Sequence, residues 1–137
     1  MQKPDLHRTP LHDAAIDGDE QEVRRLLSAG AKPNTPDRSG WTPLHFAAQE
    51  HAAGAVRALL EAGAEVDPVD EYGNTPLWRA TFGSRGRGEV IQLLREAGAD
   101  PWRANASGVS PVSLARTIAN YPVAQHFVDL PPARPAA

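Results

Sequence analysis

Metal binding or proton transfer in this chain would have to start from its five histidines, His7, His12, His45, His51 and His126. Their spacing supports neither. No His-x3-His or Glu-x-x-His pair places two ligands on one helical face, and His51 and His126 stand alone. The absence of cysteine removes thiol nucleophiles, Cys-based zinc sites and disulfides together. His12 and His45 each close a Thr-Pro-Leu-His segment, three residues into a helix start. An imidazole there bonds the capping threonine and a neighbouring loop carbonyl, and the positive helix terminus favours the neutral ring. Their expected role is structural.

Other candidates are weaker still. Asp13, Asp17, Asp19 and Glu20 gather carboxylates as a calcium loop does, but without its order or its closing glutamate, and solvated helix ends account for them. No G-x-S-x-G segment presents a serine nucleophile; Ser28, Ser39, Ser84, Ser107, Ser110 and Ser113 fall in caps, loops or the terminal region. Gly83-Ser-Arg-Gly-Arg-Gly88 has the glycines of a phosphate loop, yet it lacks G-x-x-x-x-G-K-[ST] and follows a helix rather than a strand. It is expected to be a flexible insertion whose Arg85 and Arg87 remain able to contact an anionic partner. No catalytic residue, metal or cofactor is expected, and no enzymatic activity.

The elements that carry these residues follow from composition and periodicity. At 137 residues, with 41% hydrophobic side chains, one modest domain is expected. No apolar run approaches the roughly 20 residues of a membrane helix, and MQKPDLHRTP lacks the apolar stretch of a secretory signal. With no cysteine, a cytoplasmic location is the expectation. A net charge of -3 argues against nucleic acid or a membrane surface as partner. Arginine dominates the basic residues, with only Lys3 and Lys32 as lysines, a bias that hints at a GC-rich bacterial genome.

Self-similarity is the main signal. T9-P-L-H-D-A-A15, T42-P-L-H-F-A-A48, T75-P-L-W-R-A-T81 and S110-P-V-S-L-A-R116 begin 33, 33 and 35 residues apart, and Gly30, Gly63 and Gly98 repeat the intervals 33 and 35. Both landmarks put the two extra residues of the third unit between them, in the Gly83–Gly88 stretch. Each hydroxyl residue before a proline is a helix start, so helices begin at four places. Leu11, Ala14 and Ala15, then Leu44, Ala47 and Ala48, keep helical spacing with small residues that suit close packing. A second helix in each unit carries Val23, Leu26 and Leu27, then Val56, Leu59 and Leu60, then Ile91 and Leu94, and ends before a glycine expected to be a left-handed cap. Turn formers follow in K32 to G40, E65 to G73 and D100 to G108, which are expected to project as hairpin-like loops.

A 33-residue helix-turn-helix-loop unit carrying Thr-Pro-Leu-His resembles the ankyrin repeat. The resemblance implies an all-α ankyrin solenoid over residues 5–129, with units of about 5–36, 37–69, 70–104 and 105–129. Three units are clear, and the fourth, with only a degenerate pair of helices, is expected to cap the stack. Trp78 and Ser113 replace the motif histidine, and His51 stands where the pattern has an interhelical glycine. The Pro-rich tail, residues 130–137, has too little apolar pattern to pack and is expected to be disordered.

What remains for function is surface. In such an array the loop tips and the ends of the first helices line a concave face that serves recognition. Arg38, Ser39 and Trp41 in unit two, and Glu71, Tyr72 and Asn74 in unit three, match the positions that the ankyrin family uses for partners. Gln49, Glu50 and Phe82, with Arg85 and Arg87 of the insertion, extend that face. Trp, Tyr and Arg are enriched among interface hot spots, so Trp41 and Tyr72 are the first expected anchors and Phe82 the next. Trp78 and Trp102 are expected to pack against the terminal unit. The expectation is a non-catalytic module, monomeric when free, that binds another protein. Two alternatives stay open: an inhibitor or immunity protein that occludes a toxin or enzyme, as small stand-alone bacterial ankyrin proteins resemble, and a structural subunit of a homo-oligomer.

Overall fold

The computed structural model describes residues 7–136. Among these the elements are α1 (Pro10–Asp17), α2 (Glu20–Ser28), α3 (Pro43–Gln49), α4 (Ala53–Glu61), α5 (Pro76–Phe82), α6 (Glu89–Glu96), α7 (Pro111–Thr117) and a 3-10 helix, Val123–Phe127. No strand occurs among the described residues.

Local chemistry starts the helices where the sequence predicts. Thr9, Thr42, Thr75 and Ser110 are N-caps in extended backbone, each followed by a proline that needs no helical donor bond. In α1 and α3 the motif histidine completes a capping box: Thr9 and Thr42 donate their backbone N–H to His12 and His45 Nδ1 at 3.0 and 3.1 Å. Ser113 Oγ performs the same task for Ser110. Because Nδ1 is the acceptor, Nε2 carries the proton, and it donates to Trp41 O from His12 and to Asn74 O from His45. Each histidine therefore ties its helix to the next unit's loop.

α1, α3, α5 and α7 pack in one row and α2, α4 and α6 in a second. Between them lies one continuous core in which Leu11, Val23, Leu44, Val56, Leu59, Leu77, Ile91 and Leu94 are fully buried. Alanines 14, 15, 47, 48 and 80 sit at the helix contacts, where a larger side chain would separate the rows. Gly30, Gly63 and Gly98 take φ of 97°, 90° and 99°, the left-handed caps expected after the second helices. His51 takes φ 54° where the first unit has Gly18 at φ 67°. Its Nε2 donates to Ala80 O at 2.9 Å, a bond that offsets the strain of a non-glycine left-handed residue.

The fourth unit is shortened to α7 and the 3-10 helix, which bury Val112, Ala115, Val123 and Phe127 against the end of the core. Arg95 holds it from α6 with two bonds to the Asp129 carboxylate and one to His126 O. Residues 130–136 have no regular structure; Arg116 donates to Leu130, Pro131 and Pro132 carbonyls, and Leu130 packs on the core. Ala137 and residues 1–6 lie outside the described residues.

Candidate functional site

Three loops connect the units, and one device shapes them all. Asp37, Asp70 and Asn105 each accept two backbone N–H bonds on Oδ1, from Ser39 and Trp41, Tyr72 and Asn74, and Ser107 and Val109. Gly40, Gly73 and Gly108 close the turns at φ 82°, 79° and 79°. Adjacent tips are then stitched together, with Glu71 N donating to Ser39 O and Ala106 N to Tyr72 O, both at 2.9 Å. A Cβ on Gly73 would approach Ala106 N to 2.9 Å, so the ridge of tips requires glycine there.

The sequence-predicted surface residues separate into distinct placements. Tyr72 and Phe82 are 59% and 60% exposed, and Arg38, Glu50, Glu71, Arg85 and Arg87 are exposed as well. Ser39 and Gln49 are half-buried. Asn74 lies beneath this surface: buried, it accepts from Asn105 Nδ2 on Oδ1 at 2.8 Å and from His45 on its carbonyl. Its amide is committed to stacking of the units, not to solvent. Trp41 is half-buried, with its ring 4.6 Å from Phe46 and 5.7 Å from His45, and Arg79 lies over it at 4.3 Å. Packing, not exposure, dominates its surroundings. Trp41→Ala should therefore lower stability by about 2 kcal/mol in urea unfolding, since a half-buried ring and a cation–π contact go together; unchanged unfolding would return the indole to the free surface.

Arg79 and Trp78 were not predicted as part of this strip. Arg79 donates from Nε and Nη2 to Asp70 Oδ2 at 3.0 and 2.6 Å and lies 5.4 Å from the Trp78 ring. Trp78 stacks on Phe82, with centroids 5.5 Å apart and planes 13° apart. A continuous ladder thus runs from Trp41 through Arg79 and Trp78 to the exposed Phe82. Both of these ring contacts of Trp78 lie within α5. An indole has no acceptor to complete a capping box, so α5 lacks one, and its Nε1–H is buried without a partner. Trp102 does pack as predicted, half-buried on the core with Arg116 of α7 lying 5.8 Å from its ring.

The ends of α3 and α5 and the insertion form a solvent-open cavity of about 370 Å³ lined by Gln49, Glu50, Phe82, Gly83, Arg85 and Arg87. Five residues predicted separately from the sequence meet there. Gly83 makes the approach possible, because a Cβ at that position would come within 2.5 Å of Gln49 O. The insertion is held at several points rather than loose. Ser84 is fully buried and its Oγ accepts from Gly86 N. Arg87 donates to Ser84 O and Gly83 O, and His126 Nε2 donates to Gly86 O at 2.7 Å. Arg85 stands at φ 53° with an exposed side chain.

Burial pushes the His45 imidazole down to about 4, against the opposing bond to Asn74 O, and lowers His51 in the same direction. Burial, not these bonds, favours the neutral rings, and in each Nε2 already donates to a carbonyl. Among the described residues no three His, Asp or Glu side chains converge as metal ligands. Nor is any helix there long and apolar enough to cross a membrane.

A family profile described as ankyrin repeats in three copies matches residues 11–105, more than two thirds of the chain. The chain belongs to the ankyrin repeat family. Ankyrin repeats are generally protein–protein interaction modules and typically non-catalytic. The match ends inside the third loop, just before the shortened fourth unit. No curated protein matches the chain in a sequence search.

Proposed function

We propose that this ankyrin repeat protein binds another protein, without catalysis, on the face formed by the loop tips and the ends of α3 and α5. One observation carries the reading: Tyr72 and Phe82, large rings of the kind that anchor interfaces, are each about three-fifths exposed on that face. Around them Arg38, Glu50, Glu71, Arg85 and Arg87 supply charges of both signs, which suits recognition of a defined polypeptide rather than a uniformly charged polymer. The rigid stack beneath them lowers the ordering cost of association. Trp41 and Asn74 support this face from below, by holding Arg79, His45 and the next loop in place.

Tyr72→Ala with Phe82→Ala tests this reading. The pair should leave helical content and the melting temperature nearly unchanged, because both side chains are exposed, while proteins retained by the wild-type chain in affinity purification from its native cells are lost. Retention of the same proteins by the double variant would reject the face. Light scattering separates self-association from this reading: the free protein should give the 14.7 kDa mass of one chain. A dimer that dissociates on the double substitution would instead make a second copy the occupant.

A further inference from the structure

We propose that the cavity between the ends of α3 and α5 and the Gly83–Gly88 loop takes the free C-terminal carboxylate of a partner polypeptide, with an apolar last side chain. The inference rests on the protein-binding reading and specifies the chemistry of the partner. Three chemically different walls meet within about 370 Å³. On the loop wall the Arg85 side chain makes no hydrogen bond or ion pair among the described residues, while Arg87 spends Nε and Nη2 on the loop's own carbonyls and makes no bond from Nη1 there. Gln49 and Glu50 complete the lining, so two arginines against one carboxylate leave it with a net positive charge, and Gln49 Oε1 is buried without a hydrogen-bond partner. Phe82 adds an apolar face made rigid by its stacking on Trp78.

One residue type presents the complement of all three at once. A C-terminal residue offers a carboxylate for arginine, a side chain for the ring, and a backbone N–H for the unpartnered Gln49 amide oxygen once that buried side chain turns toward the cavity. An internal aspartate or glutamate offers the carboxylate without the apolar group beside it. The volume accommodates one or two residues, at the small end of ligand pockets, which are about 300 to 1,000 Å³. The backbone is also set for this purpose. Arg85 is held in a left-handed conformation that arginine disfavours, between Ser84, which is buried, and Gly86, which is tied to His126. Strain of this kind persists only where surrounding bonds impose it.

The test is a titration of the full chain, followed by amide NMR, with the acetylated pentapeptide Ac-Gly-Ala-Gly-Ala-Leu carrying either a free acid or an amide terminus. A third probe, Ac-Ala-Ala-Asp-Ala-Ala-amide, supplies an internal carboxylate. The free acid should shift the amides of Phe82, Gly83 and Gly86 and the Gln49 side-chain amide saturably, and bind about tenfold more tightly than either of the others, the loss of one charge-assisted contact. Arg85→Asn tolerates the left-handed backbone while removing the charge, and should weaken only the free acid, by about five- to tenfold. Arg85→Lys should restore part of the affinity. Equal binding of acid and amide, equal binding of the aspartate peptide, or no saturable shift overturns the proposal. Such a result, together with loss of captured proteins on Tyr72→Ala with Phe82→Ala, would remove the terminus-binding inference while leaving the protein-binding face intact.

Discussion

Asp70→Ala should unfold the stack more readily than any surface change, lowering its stability by about 3 to 5 kcal/mol. The Asp70 side chain is fully buried, and its partner Arg79 is 13% exposed, so solvent screens their attraction little. Oδ2 receives both Arg79 bonds, while Oδ1 receives the N–H groups of Tyr72 and Asn74 that shape the loop. Removing the carboxylate leaves a guanidinium between two indoles with no counter-charge and frees two backbone donors, the half-buried Tyr72 N–H and the buried Asn74 N–H. Asp70→Asn separates these contributions: it keeps an acceptor for the turn and removes the charge, so its loss should fall between wild type and alanine. The Asp70→Asn, Arg79→Leu pair should be less damaging than the two single losses added together, because neither partner is then left alone. Urea unfolding measures all five proteins, the wild type, the three single variants and the pair. A change below about 1 kcal/mol for Asp70→Ala would show that the pair behaves as an exposed one and does not hold the loop.

That pair also marks where sequence reasoning stopped. The helix starts, the second helices and the left-handed glycines were legible because each depends on chemistry within a few residues: Thr-Pro, a helical apolar period, Gly after the last turn. The histidine bonds were legible for the same reason, since a ring three residues inside a helix reaches its own cap. The Arg79 ladder was not. It joins a residue of α5 to a loop residue nine positions earlier and to an indole in the preceding unit, and no local pattern encodes that contact. The repeat comparison gives no clear signal, because the register that holds Arg79 carries Asp13, Phe46 and Leu114 in the other units, and Asp70 repeats Asp37, which has no such arginine.

The surface set was legible in position more than in role. Tyr72 and Phe82 are exposed as their register requires, and Gln49, Glu50, Arg85 and Arg87 converge because Gly83 lets two helix ends approach. Trp41 and Asn74 share that register yet support the face from within. The loop tips bond one another, and the inward side of each tip is consumed by that bonding. Alternation within a turn that short depends on the Asp70 side-chain bonds, which sequence spacing alone does not specify.

Acid should loosen the middle of the array before it titrates most carboxylates, through His45. The folded chain binds the neutral ring: Nδ1 accepts from Thr42 N and Nε2 donates to Asn74 O, so protonation at Nδ1 breaks the first bond and places a charge in the core. Its folded value of about 4 lies below the ordinary histidine value, so the stabilisation is fully present above about pH 6.5. As pH falls below that, the unfolded chain takes up a proton that the folded chain refuses, and stability declines until about pH 4, where both forms are protonated. Between pH 7.5 and 5 the loss should be about 2 kcal/mol, and close to 3 by pH 4, from about 1.4 kcal/mol per unit of displacement. His51, lowered in the same direction by burial, steepens the slope. Asp129, held low by Arg95, adds its own loss only further into the acid range. His45→Gln keeps an acceptor for Thr42 N, as glutamine at this capping position does, but should start less stable because the buried ring and its bond to Asn74 O are lost, and its stability should vary with pH markedly less over the same interval. Unfolding curves at a series of pH values decide the matter: a wild-type stability that stays level from pH 7 to 5, or a His45→Gln slope equal to the wild-type slope, would place the acid response elsewhere in the molecule.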